Sequence, residues 1–186
     1  VKVISPTNWA AFLNWMPGCN EVLDYERETE QADQLINDAD WIFCLDFNTL
    51  SRTKRMETKL KQSAAQLILI DHHQQPQTEV FSFGISDTTK SSTAEMLFDF
   101  ITGSGHENKI TALIAQCIYA GVMTDTGSFR FPATTASVHL LVAVLMEKGL
   151  QHTDVHQSLF DNFSENRFRF IGHVLQNRME AVSYTH

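Results

Sequence analysis

The stretch LILIDHHQQP, residues 67–76, carries the strongest fold signal of the chain. Its four leading aliphatic residues predict a strand that is buried on both faces, as in a parallel sheet. The run ends abruptly in Asp71, His72 and His73. Ligands of open parallel sheets bind beyond the carboxyl ends of the strands, so we expect the functional chemistry at this edge.

Alternating strands and helices surround this stretch. A second apolar run, WIFCLDF (41–47), predicts another strand buried on both faces. Further strands are predicted at 1–5, 21–25 and 79–85, the last nearer an edge, and helices at 6–16, 28–39, 51–63, 92–102, 108–122, 134–148, 152–161 and 164–181. The pattern indicates an α/β fold: a Rossmann-like parallel sheet with flanking helices and a helical C-terminal half.

Length and composition are those of one globular domain. The chain has 186 residues, of which 43% are hydrophobic and 19% are charged. We assign residues 1–181 to this domain and interpret 182–186 as a terminal tail that need not be native. The net charge is −8 and no run of Lys or Arg stands out, which argues against a long nucleic-acid duplex as partner. A short anionic substrate stays compatible, because bound cations can invert the field of an acidic site.

Cysteine usage and hydropathy indicate the compartment. Cys19, Cys44 and Cys117 are far apart and form no Cys-x-x-Cys pair, so we expect neither a disulfide scaffold nor a cysteine zinc site. No apolar stretch approaches the roughly 18 residues of a membrane span. No secretory signal is recognisable either. We therefore expect a cytoplasmic protein without a membrane partner.

Two more acidic residues follow apolar segments. Asp46 ends the run at 41–47, and Asp125 follows the apolar helix in the turn TDTGSF. Together with an imidazole they would form an oxygen and nitrogen site suited to Mn²⁺, Mg²⁺, Fe²⁺ or Zn²⁺. Each also has a plainer interpretation, because an aspartate at a strand end commonly caps a helix or forms a turn.

Two candidate phosphate contacts lie further along the chain. Ser92 and Glu95 have the spacing of a capping box, and the helix start would offer free N–H groups to a phosphate. A plain helix cap explains the same residues. Arg130 lies five residues after Asp125 and could bind a phosphate through two N–H groups or form a surface ion pair.

Taken together, these motifs resemble those of the DHH-family phosphoesterases. Four segments carry the resemblance and occur in family order: CLDFNTLSR (44–52), ILIDHHQQP (68–76), SSTAEMLFDF (91–100) and AGVMTDTGSFRFPATT (120–135). Within the family, TDTGSFRFPATT is most similar to the bifunctional oligoribonuclease and pAp phosphatase (nanoRNase) group. Family II pyrophosphatases carry Phe-Lys-Ser-Pro-Thr after the related motif.

The resemblance implies a role for each site residue. Asp46 would bridge two divalent cations, expected to be Mn²⁺ with Mg²⁺ or another divalent ion as substitute. His72 would bind one cation and Asp125 the other. His73 would face the scissile phosphate as phosphate binder or proton donor, with Asp71 orienting a histidine from behind. The implied substrates are short RNAs, degraded in the 3′–5′ direction, and 3′-phosphoadenosine 5′-phosphate (pAp).

Some family features have no match in this sequence. The family's first motif, a His followed by Asp-x-Asp, is absent, as is its second domain with a Gly-rich substrate loop. We expect an N-terminally truncated fragment that is inactive by itself. The alternatives are a family II-type pyrophosphatase, a cyclic-dinucleotide phosphodiesterase and a catalytically inactive nucleotide-binding module. A homodimer is compatible with the aromatic residues of the C-terminal helices: Phe160, Phe163, Phe168 and Phe170.

Overall fold

The computed structural model describes residues 1–161 and 164–180. Its strands are β1 (Ile4–Ser5), β2 (Leu23–Asp24), β3 (Trp41–Leu45), β4 (Gln66–Asp71) and β5 (Phe83–Ser86). Its α-helices are α1 (Thr29–Asp38), α2 (Glu57–Gln62), α3 (Thr93–Gly103), α4 (Ala112–Asp125), α5 (Ala136–Glu147), α6 (His152–His156) and α7 (Glu165–Asn177). The predicted tail at 182–186, the end of the assigned domain at 181 and Phe163 lie outside the described residues.

Strands β3, β4 and β5 form a three-stranded parallel sheet in chain order. Cys44 pairs with Leu69, and Leu69 pairs with Gly84 on the outer strand β5. Strands β1 and β2 form a separate parallel pair. The predicted α/β fold with a parallel sheet and flanking helices is therefore confirmed, as is the edge position of the strand predicted at 79–85.

Helices cover one face of the sheet and build the second half of the chain. Cys44 and Leu67 belong to the same apolar cluster as Ile36 of α1 and Leu60 of α2. A second apolar cluster joins α4, α5 and α6 through buried side chains that include Val122, Leu145 and Val155. The described chain thus has two apolar clusters, one that includes the sheet and one among the helices of its second half. None of the helices in the described chain combines the length and apolar character that crossing a bilayer requires.

Two helix predictions need correction. Only Ala11–Leu13 forms a short 3₁₀ helix within the helix predicted at 6–16. Leu13 and Met16 pack against the helical cluster, so tertiary contacts rather than helical periodicity decide their direction. The helix predicted at 51–63 is a 3₁₀ segment, Leu50–Met56, followed by α2. Lys54 divides it, because its φ of 54° is left-handed and incompatible with a continuous helix.

Strand β3 is not buried on both faces, contrary to the prediction for 41–47. Its side chains alternate: Cys44 is buried, whereas Trp41 is 55% and Phe43 is 48% exposed. The described chain covers that face only in part, through Phe100 of α3, whose ring centroid lies 6.2 Å from that of Phe43. The continuous apolar run therefore predicted the strand correctly, but it did not predict that one face of the strand is largely exposed.

Candidate functional site

The carboxyl ends of β3 and β4 bring the predicted acidic and histidine residues together. Asp46 follows β3 directly, and its N–H donates to the carbonyl of Ile70 on β4 at 3.2 Å. Asp71 is the last residue of β4, and His72 and His73 follow it. Because neighbouring parallel strands end at the same edge, residues 25 positions apart in sequence lie side by side.

His72 lies between two carboxylates. Its Nε2 is 3.6 Å from Oδ1 of Asp46 and 3.7 Å from Oδ2 of Asp125, the last residue of α4. Its Nδ1 is 3.4 Å from the carbonyl oxygen of Lys90. A carbonyl can only accept, so this contact places a proton on Nδ1 and leaves Nε2 as the ring nitrogen that faces the carboxylates.

His73 turns to a different carboxylate. Asp71 is fully buried and accepts from the His73 N–H at 3.1 Å and from its Nδ1 at 2.7 Å. The side chain of His73 is 33% exposed, so its Nε2 remains the atom that can meet a ligand. The orienting contact expected of Asp71 is thus made to His73, while His72 is oriented by a backbone carbonyl.

The donor atoms fit a divalent cation. Asp46, His72 and His73 each offer one ligand atom, and these atoms lie within 4.8 Å of one another. One carboxylate oxygen with two imidazole nitrogens suits Mn²⁺, Fe²⁺ or Zn²⁺. Asp125 stands outside this group of three but contacts His72, which extends the acidic side of the site.

Electrostatics at the site favour positive charge between the carboxylates. Partial burial raises the pKa of Asp125, and the charge of Asp46 raises it further. His72 and His73 act in the opposite direction and lower the pKa of Asp125. Two carboxylates that face one imidazole repel each other, and a bound cation would relieve that repulsion.

The start of α3 adds a contact that sequence reasoning missed. Thr93 Oγ1 donates to Asp46 Oδ1 at 2.9 Å, across 47 positions of sequence. Thr93 lies inside the motif SSTAE, but Ser92 and Glu95 drew attention because they have the spacing of a capping box. No local pattern indicates that the hydroxyl between them reaches a strand end.

The capping box predicted at Ser92 is confirmed with a shift of one position. Ser92 Oγ accepts from the Glu95 N–H at 3.0 Å, and Ser92 is fully buried. Glu95 reaches back to the N–H and Oγ of Ser91, both at 2.7 Å, rather than to the N–H of Ser92. The substrate contact predicted for Ser92 stays a prediction.

Arg130 lies in the turn after α4. Its side chain is anchored by Nε, which donates to the carbonyl of Gly127 at 2.7 Å. Three successive residues of the turn are left-handed, with φ of 56° at Gly127, 61° at Ser128 and 64° at Phe129. Buried Thr126 holds the turn, since its Oγ1 accepts from the Phe129 N–H at 3.0 Å. The turn fixes the start of the Arg130 side chain, and its phosphate contact stays a prediction.

Comparison with known proteins assigns the chain to a family. The model of the DHH family, N-terminal domain, matches residues 5–122. A solved structure from Bacteroides fragilis, an exopolyphosphatase-related protein, is similar with a TM-score of 0.93 and 39% identity. That match covers 95% of this chain and 52% of the other.

Curated relatives agree with this assignment. The bifunctional oligoribonuclease and PAP phosphatase of Bacillus subtilis is 29% identical over 67% of this chain and 39% of its own length. The protein of that name from Thermus thermophilus is 36% identical over 59% of this chain and 32% of its own length. An uncharacterized protein of Mycoplasma genitalium is 33% identical over 75% of this chain and 41% of its own length.

The chain spans less than half the length of these curated relatives. The match over 5–122 includes Asp46, Asp71, His72 and His73, and the strand order places them at one edge. Three of the four segments that carried the sequence resemblance, 44–52, 68–76 and 91–100, lie within this match, and the chain belongs to the DHH family.

Proposed function

We propose that the protein containing this chain is a metal-dependent phosphoesterase. Its substrates in this proposal are short oligoribonucleotides, shortened in the 3′–5′ direction, and pAp. The observation that carries the proposal is His72 Nε2, which lies within 4 Å of the carboxylates of Asp46 and Asp125. The bifunctional names of the Bacillus subtilis and Thermus thermophilus relatives support the substrate class.

Asp46, His72 and Asp125 are the proposed cation ligands, with Mn²⁺ as the expected ion and two ions as the expected number. A divalent cation, when bound, supplies Lewis-acid stabilisation of charge on phosphoryl oxygens. Asp46 is suited to contacts on two sides because its side chain is 56% exposed and its carboxylate has two oxygens. His72 would bind the cation through Nε2, because its Nδ1 faces a carbonyl oxygen.

His73 is the proposed phosphate binder and proton donor. Its Nδ1 contacts the buried Asp71, and this carboxylate holds the ring in one orientation. Nε2, when it carries a proton, would donate to a phosphoryl or leaving-group oxygen. Asp71 acts through His73 in this proposal, since it is fully buried and cannot itself meet a substrate.

Arg130 completes the proposal as a substrate contact, and Ser92, which is fully buried, supports one only by capping the start of α3. Arg130 is exposed, and its Nε is held by Gly127 in the turn after Asp125. Its remaining guanidinium N–H groups could bind a phosphate of the substrate. Ser92 caps α3, whose first residue, Thr93, is hydrogen-bonded to Asp46. A net charge of −8 without a basic run suits a short substrate better than a long one.

The test is Mn²⁺-dependent release of mononucleotide from a labelled RNA dinucleotide by the protein at its natural length. Asp46→Ala, His72→Ala and Asp125→Ala should each abolish release, and pAp hydrolysis should fall with it. His173→Ala is the matched control, because His173 is exposed on α7 and its ring is hydrogen-bonded to Asn177 of the same helix. Wild-type rates in the three site variants would refute the assignment.

The same assay separates the alternatives. Hydrolysis of pyrophosphate alone would favour a family II-type pyrophosphatase, and hydrolysis of a cyclic dinucleotide would favour a phosphodiesterase of that kind. Inorganic polyphosphate is added as a substrate because the Bacteroides fragilis relative is described as exopolyphosphatase-related. Nucleotide binding without hydrolysis of any substrate would favour a catalytically inactive binding module.

A further inference from the structure

Asp46 has a fixed backbone and a weakly restrained side chain. Its N–H is bonded to Ile70, and its φ of 66° lies in the left-handed region, which a non-glycine residue rarely adopts. Such strain is typical of functional positions that the surrounding structure holds in place. Its side chain, however, is 56% exposed, so packing alone does not orient the carboxylate.

Thr93 supplies the missing restraint. It is the first residue of α3, it is only 5% exposed, and its Oγ1 donates to Asp46 Oδ1 at 2.9 Å. The same Oδ1 lies 3.6 Å from Nε2 of His72. Within the described chain, the Thr93 hydroxyl is the hydrogen-bond donor that the structure shows on this carboxylate.

The donor is itself held in one place. Thr93 is β-branched, so its χ1 is restricted within the helix. The start of α3 is fixed by the cap of Ser92 on the Glu95 N–H. Glu95 is buried, bonds back to Ser91 and accepts from Ser137 of α5 at 3.2 Å. The hydroxyl therefore meets Asp46 from a rigid support rather than from a loop.

We propose that Thr93 is a positioning residue that orients the Asp46 carboxylate towards a divalent cation. The hydroxyl proton occupies one lone pair of Oδ1, which sets the carboxylate plane and leaves its other lone pairs for the cation. Without the hydroxyl, the exposed carboxylate rotates freely and must be ordered when the cation binds. This inference rests on the proposed function, because it takes Asp46 as a cation ligand.

The competing explanation is that Thr93 serves only the packing and start of α3. Two substitutions separate the roles. Thr93→Val keeps the shape and removes the hydroxyl, whereas Thr93→Ser keeps the hydroxyl and removes a methyl group. Asp46 can bond to water when the hydroxyl is gone, so Thr93→Val leaves no buried group unpaired and should fold. If Thr93→Val does not fold, Thr93→Ala replaces it, because alanine also lacks the hydroxyl and the same Mn²⁺ affinity can be measured.

The experiment measures Mn²⁺ affinity independently of hydrolysis. Free Mn²⁺ is counted by its electron paramagnetic resonance signal during titration of the protein at its natural length. Loss of a group that orients a metal ligand typically weakens affinity about 10- to 100-fold, and we expect that loss for Thr93→Val. Thr93→Ser should bind as wild type does. The control is Thr102→Val on the same helix, because its hydroxyl bonds only the carbonyls of Phe98 and Asp99.

Asp46→Ala in the same titration separates the two proposals. If Asp46→Ala binds weakly and Thr93→Val binds as wild type does, the inference about Thr93 is overturned and the proposed metal site stands. If Thr93→Ser is as weak as Thr93→Val, packing rather than the hydroxyl explains the loss, and the inference is again overturned. If Asp46→Ala binds Mn²⁺ as wild type does, the proposed site itself fails.

Discussion

Helices α3 and α4 cross at a point where one of them needs glycine. A Cβ placed on Gly121 of α4 would lie 2.7 Å from the Cβ of Ala94 on α3. Carbon atoms in contact are normally about 3.5–4.0 Å apart, so the two helices would have to separate by about 1 Å. We therefore predict that Gly121→Ala destabilises the protein, although alanine is the better helix former.

The expected magnitude follows from two opposing effects. Helix propensity favours alanine over glycine by about 0.8–1.0 kcal/mol. Overpacking of a well-packed contact typically costs about 1–3 kcal/mol, and α3 cannot easily retreat, because Thr93 beside Ala94 is bonded to Asp46. The difference is a net loss of up to about 2 kcal/mol in the free energy of unfolding, or up to about 8 °C in Tm for a chain of this size.

The assay is thermal and urea unfolding, with a matched glycine as control. Gly172 lies inside α7 with nothing within 4 Å of an added Cβ, so Gly172→Ala should not lower stability. Ala94→Gly combined with Gly121→Ala removes the close contact and should recover part of the loss, which a double-mutant cycle measures. If Gly121→Ala raises stability as propensity alone predicts, the close approach of α3 and α4 is not as the structure shows it.

Four further predictions follow from buried or capping contacts. Asp71→Asn should lower the proposed hydrolysis rate about 10- to 100-fold, because His73 loses its orienting carboxylate; an unchanged kcat would contradict this. Burial raises the pKa of Cys44 to about 12, so iodoacetamide at pH 8 should modify Cys19 first, as mass spectrometry can show. Below the unfolded thiol's pKa of about 8.5, Cys44 is protonated in both the folded and the unfolded protein. As pH rises from there towards 12, only the unfolded thiol ionises, so the free energy of unfolding should fall. Thr111→Ala should cost about 1 kcal/mol in urea unfolding, because Thr111 Oγ1 caps α4 by accepting from the Ile114 N–H; no loss would mean that the cap contributes nothing.

Local pattern predicted the parts of the fold that local chemistry decides. The apolar runs at 41–45 and 67–70 are too continuous for loops, and the helices between the strands indicated a parallel arrangement. Ser92 was recognised as a helix cap because its side chain bonds a backbone group only three residues away. Such a cap can be predicted from sequence because the two groups that it joins lie within one helical turn of each other.

Local pattern failed where distant contacts decide. The spacing of Trp9, Leu13 and Met16 predicted a helix, but packing against the helical cluster leaves only a 3₁₀ turn there. The basic segment at 51–63 has helical periodicity throughout, yet the left-handed Lys54 breaks it. Periodicity shows which side chains are apolar, but it does not show which part of the protein packs against them.

The candidate site divides in the same way. Sequence by itself predicted that Asp46 and Asp71 end apolar strands, so that they and His72 lie at the carboxyl edge of a parallel sheet. Only the tertiary structure decided the pairing within that edge: His72 faces Asp46, while His73 turns to Asp71. The physical reason is that strand register and helix placement, which no local pattern encodes, set the direction of each side chain beyond the strand ends. The hydroxyl of Thr93, 47 residues from its acceptor, depends entirely on that placement.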